Sequence, residues 1–104
     1  MNQVIFNEIR ALKRQLMPND RMILFGSQAR DDAREDSDWD LLVLLNKEKR
    51  NFWEDSNKYC SPFDDLGWNH GIAINTILYT QKQWEQGKIF PLYRNVMKDG
   101  IEIN

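Results

Sequence analysis

The chain has 104 residues, 41% hydrophobic and 29% charged, with a formal net charge of −2. That is enough for one domain with one core, read as residues 1–104, and too little for two ordinary ones. The balance excludes a disordered chain, no apolar stretch nears the ~20 residues of a membrane span, and slight acidity argues against a long nucleic acid partner.

The N-terminal stretch mixes charge into its apolar positions and lacks the unbroken core of a secretory signal, so a cytoplasmic protein is expected. Ile5, Ile9, Leu12 and Leu16 recur at helical spacing and predict one amphipathic helix over residues 2–17. Pro18, Asn19 and Asp20 end it, and "RMILF" follows as a first strand over 21–25. After Gly26, "SQARDDAR" predicts a short helix capped by Ser27, "EDS" a polar break, and "DWDLLVLL" a second strand.

Residues 47–70 read as a helix with a loop: "NKEKRNFWEDSNKY" looks helical, whereas Pro62, Gly67 and Gly71 make the following segment partly irregular. "IAINTILYT" is a third strand, and Thr80 with Gln83 forms a capping-box signature for a short helix. Pro91 opens a last helix with Leu92, Val96 and Met97 on one face, stopped at Gly100 by a left-handed residue, so the chain closes on a helix. Cys60 and His70 are the only cysteine and histidine, which excludes an internal disulfide and a Cys/His zinc site and leaves an ordinary thiol and imidazole. The four tryptophans suit a small core, with some free to form a contact surface.

Asp38 and Asp40 are two apart on a strand, so they share a face about 6.6 Å apart along the axis and together make an anionic pocket. Hard cations such as Mg2+ are held by one or two carboxylates plus substrate phosphates, and two such ions roughly 4 Å apart can clamp an in-line nucleotidyl displacement. Gly26 and Ser27, at a strand-to-helix turn, suit the phosphates: glycine admits close backbone approach, and the serine adds a hydroxyl. Arg30, one helical turn on, can meet further negative charge, while Arg34 is read as pairing with neighbouring acids. Four residue types, each used at roughly 6%, meet these offsets by chance in about one chain per thousand of this length.

"GSQARDDAREDSDWD" resembles the Gly-Ser, ten residues, Asp-x-Asp signature of the DNA polymerase β-like nucleotidyltransferase superfamily. The small size is similar to the minimal nucleotidyltransferases of prokaryotes. The residues alone support a small α/β domain; the resemblance implies a small mixed sheet with helices packed on one side, the polymerase β palm-like fold. It further implies that Gly26, Ser27 and Arg30 bind a nucleoside triphosphate, and that Asp38 and Asp40 bind Mg2+, in a one- or two-ion site. The activity implied is transfer of a nucleoside monophosphate, AMP from ATP foremost, to a small-molecule or protein hydroxyl.

The family's third carboxylate falls at Asn75, a neutral amide that can lend an oxygen to a metal but cannot accept a proton. Catalysis would suffer more than nucleotide binding, and a second ion would be held weakly. Asp64 or Asp65 would have to fill the gap. Asp31 stands where the family commonly has glycine. Minimal nucleotidyltransferases are often paired with a helical HEPN protein as antitoxin to its toxin. The alternative implied is therefore a weakly active or inactive antitoxin-like or regulatory partner of such a protein.

Overall fold

The computed structural model describes residues 1–34 and 37–104. Asn2 accepts the backbone N–H groups of Val4 and Ile5 and so caps helix α1, Gln3–Leu16, which buries Ile5 and Ile9 as its spacing requires. The chain then forms β1 (Arg21–Phe25), α2 (Ser27–Arg30) and β2 (Trp39–Leu45). Helix α2 stops well short of residue 34 because Asp31 turns left-handed at φ 61°. The polar break expected at Glu35 and Asp36 lies outside the described residues.

The segment after β2 corrects the expected order of helix and loop. Residues 46–51 are not helical, and the helical stretch begins at Phe52, capped by Asn51, whose side chain accepts from the Glu54 N–H. It continues as α3 (Phe52–Asp55), a π-helical turn (Ser56–Cys60) and α4 (Ser61–His70). Pro62 lacks an N–H for the carbonyl four residues earlier, and the wide turn with the Ser61 N–H on the Ser56 carbonyl carries the helix past it. Gly67 is no break either: a Cβ there would lie 2.8 Å from the Ile72 carbonyl, so its absence seats α4 against the chain entering β3.

Strand β3 (Ile74–Thr80), α5 (Gln81–Gln86) and α6 (Pro91–Asp99) follow, with the Thr80–Gln83 capping box formed as expected. The chain does not close on α6. Gly100 is extended at φ −64° and ψ 141°, not left-handed, and leads into β4, Ile101–Ile103, which pairs antiparallel with β1. A Cβ at Gly100 would meet the Val96 carbonyl at 2.5 Å, a packing demand that accounts for the glycine.

The sheet order is β3-β2-β1-β4, antiparallel except for the parallel β2–β3 pair, so the mixed α/β class holds. Trp39, Leu41, Val43 and Leu45 of β2 face a core shared with α1 and α4. Leu42 and Leu44 face a second cluster with Trp84 and Val96, so α5 and α6 cover part of the opposite face and the helices do not lie on one side only. Met97 departs from the expected apolar face and is 66% exposed. The tryptophans divide evenly: Trp39 and Trp84 are buried, Trp53 and Trp68 exposed. Among the described residues no helix is long and apolar enough to cross a membrane.

Ile103 is 1% exposed and pairs with Met22. Ile103→Ala should therefore cost about 2–5 kcal/mol of unfolding free energy in a urea titration; an unchanged midpoint would mean that β4 frays and does not belong to the core.

Candidate active site

The parallel register sets Asp40 of β2 beside Asn75 of β3, and the antiparallel register sets it opposite Phe25 of β1. Asp40 thus lies between the β1 turn and the β3 edge. Strand alternation puts it on the face of Leu42 and Leu44, which pack with Ile23, Trp84 and Val96, while Asp40 itself is half-buried. Asp38 sits just before β2, exposed, where Trp39 donates its N–H to the Ala73 carbonyl at 3.0 Å.

The Asn75 amide joins the two carboxylates. Its Nδ2 donates to Asp38 Oδ2 at 3.2 Å and to Asp40 Oδ1 at 3.2 Å. The second oxygen of Asp40 lies against Gly26, where a Cβ would come within 2.4 Å of Oδ2. Gly26 also has φ 77°, a conformation other residues adopt at a cost. Ser27 follows as the half-buried first residue of α2. The structure therefore brings together Gly26, Ser27, Asp38, Asp40 and Asn75.

Arg30 is placed differently. Its Nε donates to Asp32 at 3.1 Å, an exposed pair in the turn after α2. Such pairs contribute about 0–1 kcal/mol, little enough for a phosphate to compete for the guanidinium. Arg34 donates its backbone N–H to Ser37 Oγ at 2.8 Å, while buried Gln28 donates to the Ser37 carbonyl at 3.2 Å. Ser37 is thus fastened immediately before Asp38.

The two spare acids separate. Both lie on α4, not in a loop, but Asp64 borders a groove of about 620 Å³ that also reaches Asn75, whereas Asp65 borders a groove shared with Glu8 and Leu12 of α1. Trp68, one of the tryptophans offered as a contact surface, is 85% exposed and lines the Asn75 groove; its place depends on the phase of a helix running through Pro62. The Cys60 thiol is pushed up above its ordinary pKa, first by burial and then by the charge of Asp64, against an opposing pull from Arg50 that outweighs the lesser push from Asp55. That shift favours the protonated thiol over the reactive thiolate.

A family model described as "Nucleotidyltransferase domain" matches residues 7–101. The chain belongs to the nucleotidyltransferase domain family. A Methanocaldococcus jannaschii protein provisionally named a protein adenylyltransferase is 38% identical over 65 residues, 58% of this chain and 59% of that protein. The chain therefore spans about three-fifths of that relative's length. Its fold is shared with a toxin–antitoxin crystal structure containing AMP-PNP, at 19% identity and TM-score 0.60, over 95% of this chain and 72% of the other. The MntA-HepT toxin–antitoxin structure matches at 18% identity and TM-score 0.55, over 99% and 72%. The family agrees with the nucleotidyltransferase resemblance carried by the Gly-Ser and Asp-x-Asp motif, and the fold is the one these structures share.

Within this nucleotidyltransferase domain, the donor set suits a hard cation. Two carboxylates converge on one amide, and Gly26 keeps the flank of Asp40 clear of side-chain bulk. Among the described residues no group of three or more His, Cys, Asp or Glu side chains is placed to hold an ion, so Asp38 and Asp40 are joined only by the neutral Asn75.

Gly26 and Gly71 both have positive φ, but a Cβ at Gly71 would meet nothing within 4 Å. Gly71→Ala should cost the ~1–2 kcal/mol of a left-handed alanine, and Gly26→Ala a further ~1–3 kcal/mol, because φ 77° with ψ −158° is a region nearly reserved for glycine and the added Cβ also meets Asp40. Equal losses in urea denaturation would contradict both the backbone geometry at Gly26 and its close approach to Asp40.

Proposed function

We propose that the chain, acting as one domain over residues 1–104, is a Mg2+-dependent nucleotidyltransferase that moves AMP from ATP to a hydroxyl of a small molecule or a protein. The observation that carries this reading is the Asp38–Asn75–Asp40 cluster set against the side-chain-free flank of Gly26. Asp38 and Asp40 would hold the cation, which when bound would neutralise phosphate charge. Gly26 admits the triphosphate close to the backbone, Ser27 offers it a hydroxyl, and Arg30 leaves Asp32 to meet its remaining charge. Asn75 orients both carboxylates, and a half-turn of its amide would aim Oδ1 where Nδ2 now points, giving a neutral ligand in place of a donor.

A second reading is favoured by the same asparagine. A neutral amide in the third position holds a second ion weakly and cannot act as a base, which suits a weakly active or inactive antitoxin-like subunit. Its partner would be a helical protein of the HEPN type, a reading supported by the fold shared with toxin–antitoxin proteins. Neither reading calls on a long nucleic acid or a membrane.

Incubation with Mg2+ and each α-labelled nucleoside triphosphate, with and without a helical partner protein, separates the two. The first predicts label transfer, strongest from ATP; the second predicts nucleotide binding without transfer. Asp38→Ala and Asp40→Ala should each abolish transfer, and turnover unchanged in either would sink the assignment. Asn75→Asp should raise Mg2+ affinity or turnover, and no gain in either would remove Asn75 from the third position.

A further inference from the structure

Asp38 and Asp40 are held by different means. Asp40 is a strand residue, fixed by the ladder opposite Phe25 on one side and beside Asn75 on the other. Asp38 precedes the strand, is exposed, and has for its carboxylate one partner among the described residues, Asn75 Nδ2 at 3.2 Å. One exposed hydrogen bond contributes little, and the Asp40 carboxylate nearby repels its neighbour. The backbone on either side of Asp38 therefore decides where it stands. After it, Trp39 donates its N–H to the Ala73 carbonyl at 3.0 Å; before it, the Ser37 carbonyl accepts from Gln28 Nε2 at 3.2 Å.

Gln28 is 4% exposed on a helix of four residues, and a buried amide costs free energy unless its bonds are made. An apolar residue of the same size would fill the space without that cost, so the polar choice points to the bond it makes. Ser37 is tied to Arg34 within its own loop, by its N–H to the Arg34 carbonyl at 3.0 Å and by its Oγ to the Arg34 N–H at 2.8 Å. The Gln28 amide is what joins that loop to α2. We propose that Gln28 is a positioning residue for the cation site: buried on α2, it holds the chain entering β2 so that the Asp38 carboxylate stands beside that of Asp40. The proposal rests on the cation-site reading above. Ser27, the hydroxyl offered to the triphosphate, adjoins Gln28 on the same helical turn, so one short element sets the spacing between that turn and Asp38.

Gln28→Met keeps the volume and removes the donor, and Gln28→Leu repeats the change with a second apolar shape should the first not fold. In metal-free protein the Asn75 side-chain amide, followed by nitrogen-15 NMR, should move in Gln28→Met in the direction it moves in Asp38→Ala. Adding Gln28→Met to Asp38→Ala should then move it little further, because both changes break one linkage. Mn2+, standing in for Mg2+ and titrated with a non-hydrolysable ATP analogue present, should bind Gln28→Met about tenfold more weakly by water-proton relaxation. The analogue alone should bind as it does to wild type. An unmoved amide or an unchanged Mn2+ affinity in a folded variant overturns the proposal. So does an amide shift as large in the Asp38→Ala background as in wild type, which would make Gln28 a part of the fold and nothing more. Wild-type protein that binds no Mn2+ with the analogue overturns the cation-site reading itself, and the role of Gln28 with it.

Discussion

Everything around the candidate site follows from the need to hold two carboxylates, Asp40 on β2 and Asp38 just before it, side by side without burying them. Asp40 meets that need through its two neighbours: a residue with no side chain in the turn just past β1 and an amide on β3. A mixed sheet supplies both, because β2 pairs antiparallel with β1 and parallel with β3. Cores on both faces fix β2 between them, with Leu42 and Leu44 buried among Ile23, Trp84 and Val96 and Asp40 left half-buried. The same strand is apolar where it is covered and anionic where it is not.

Asn75 shifts the balance at this site. A third carboxylate would add like-charge repulsion, about 1 kcal/mol per pair of unit charges at 4 Å in water and more where solvent is thinner. The amide instead bridges Asp38 and Asp40 with two hydrogen bonds, easing their approach when no cation is present. What it gives up is negative charge for a second ion and a proton acceptor.

The parts of this architecture legible in the residues are those whose signals are local. Gly26, Ser27, Asp38 and Asp40 could be placed because turn chemistry and strand alternation operate within a few residues, and the Thr80–Gln83 box is likewise self-contained. Strand β4 escaped notice because it is three residues long and its existence depends on a partner, β1, some 80 positions away. The helix through Pro62 escaped because a π-helical turn, not the residue itself, decides whether proline breaks it. That turn also sets the phase of α4, so neither the contrast of Asp64 with Asp65 nor the exposure of Trp68 could be read beforehand. Arg30 carries the right charge at the right spacing, but Asp32 holds it two residues away.

The most direct test of the account follows the Asn75 side-chain amide by nitrogen-15 NMR, assigned with Asn75→Asp, while Mg2+ and a non-hydrolysable ATP analogue are added separately and together. If Asp38, Asp40 and Asn75 form the cation and nucleotide site, the amide signals move saturably when both are present and stay fixed in Asp40→Asn. Amide signals unmoved by the pair in the wild-type protein would contradict the account and return the two carboxylates to a purely structural role.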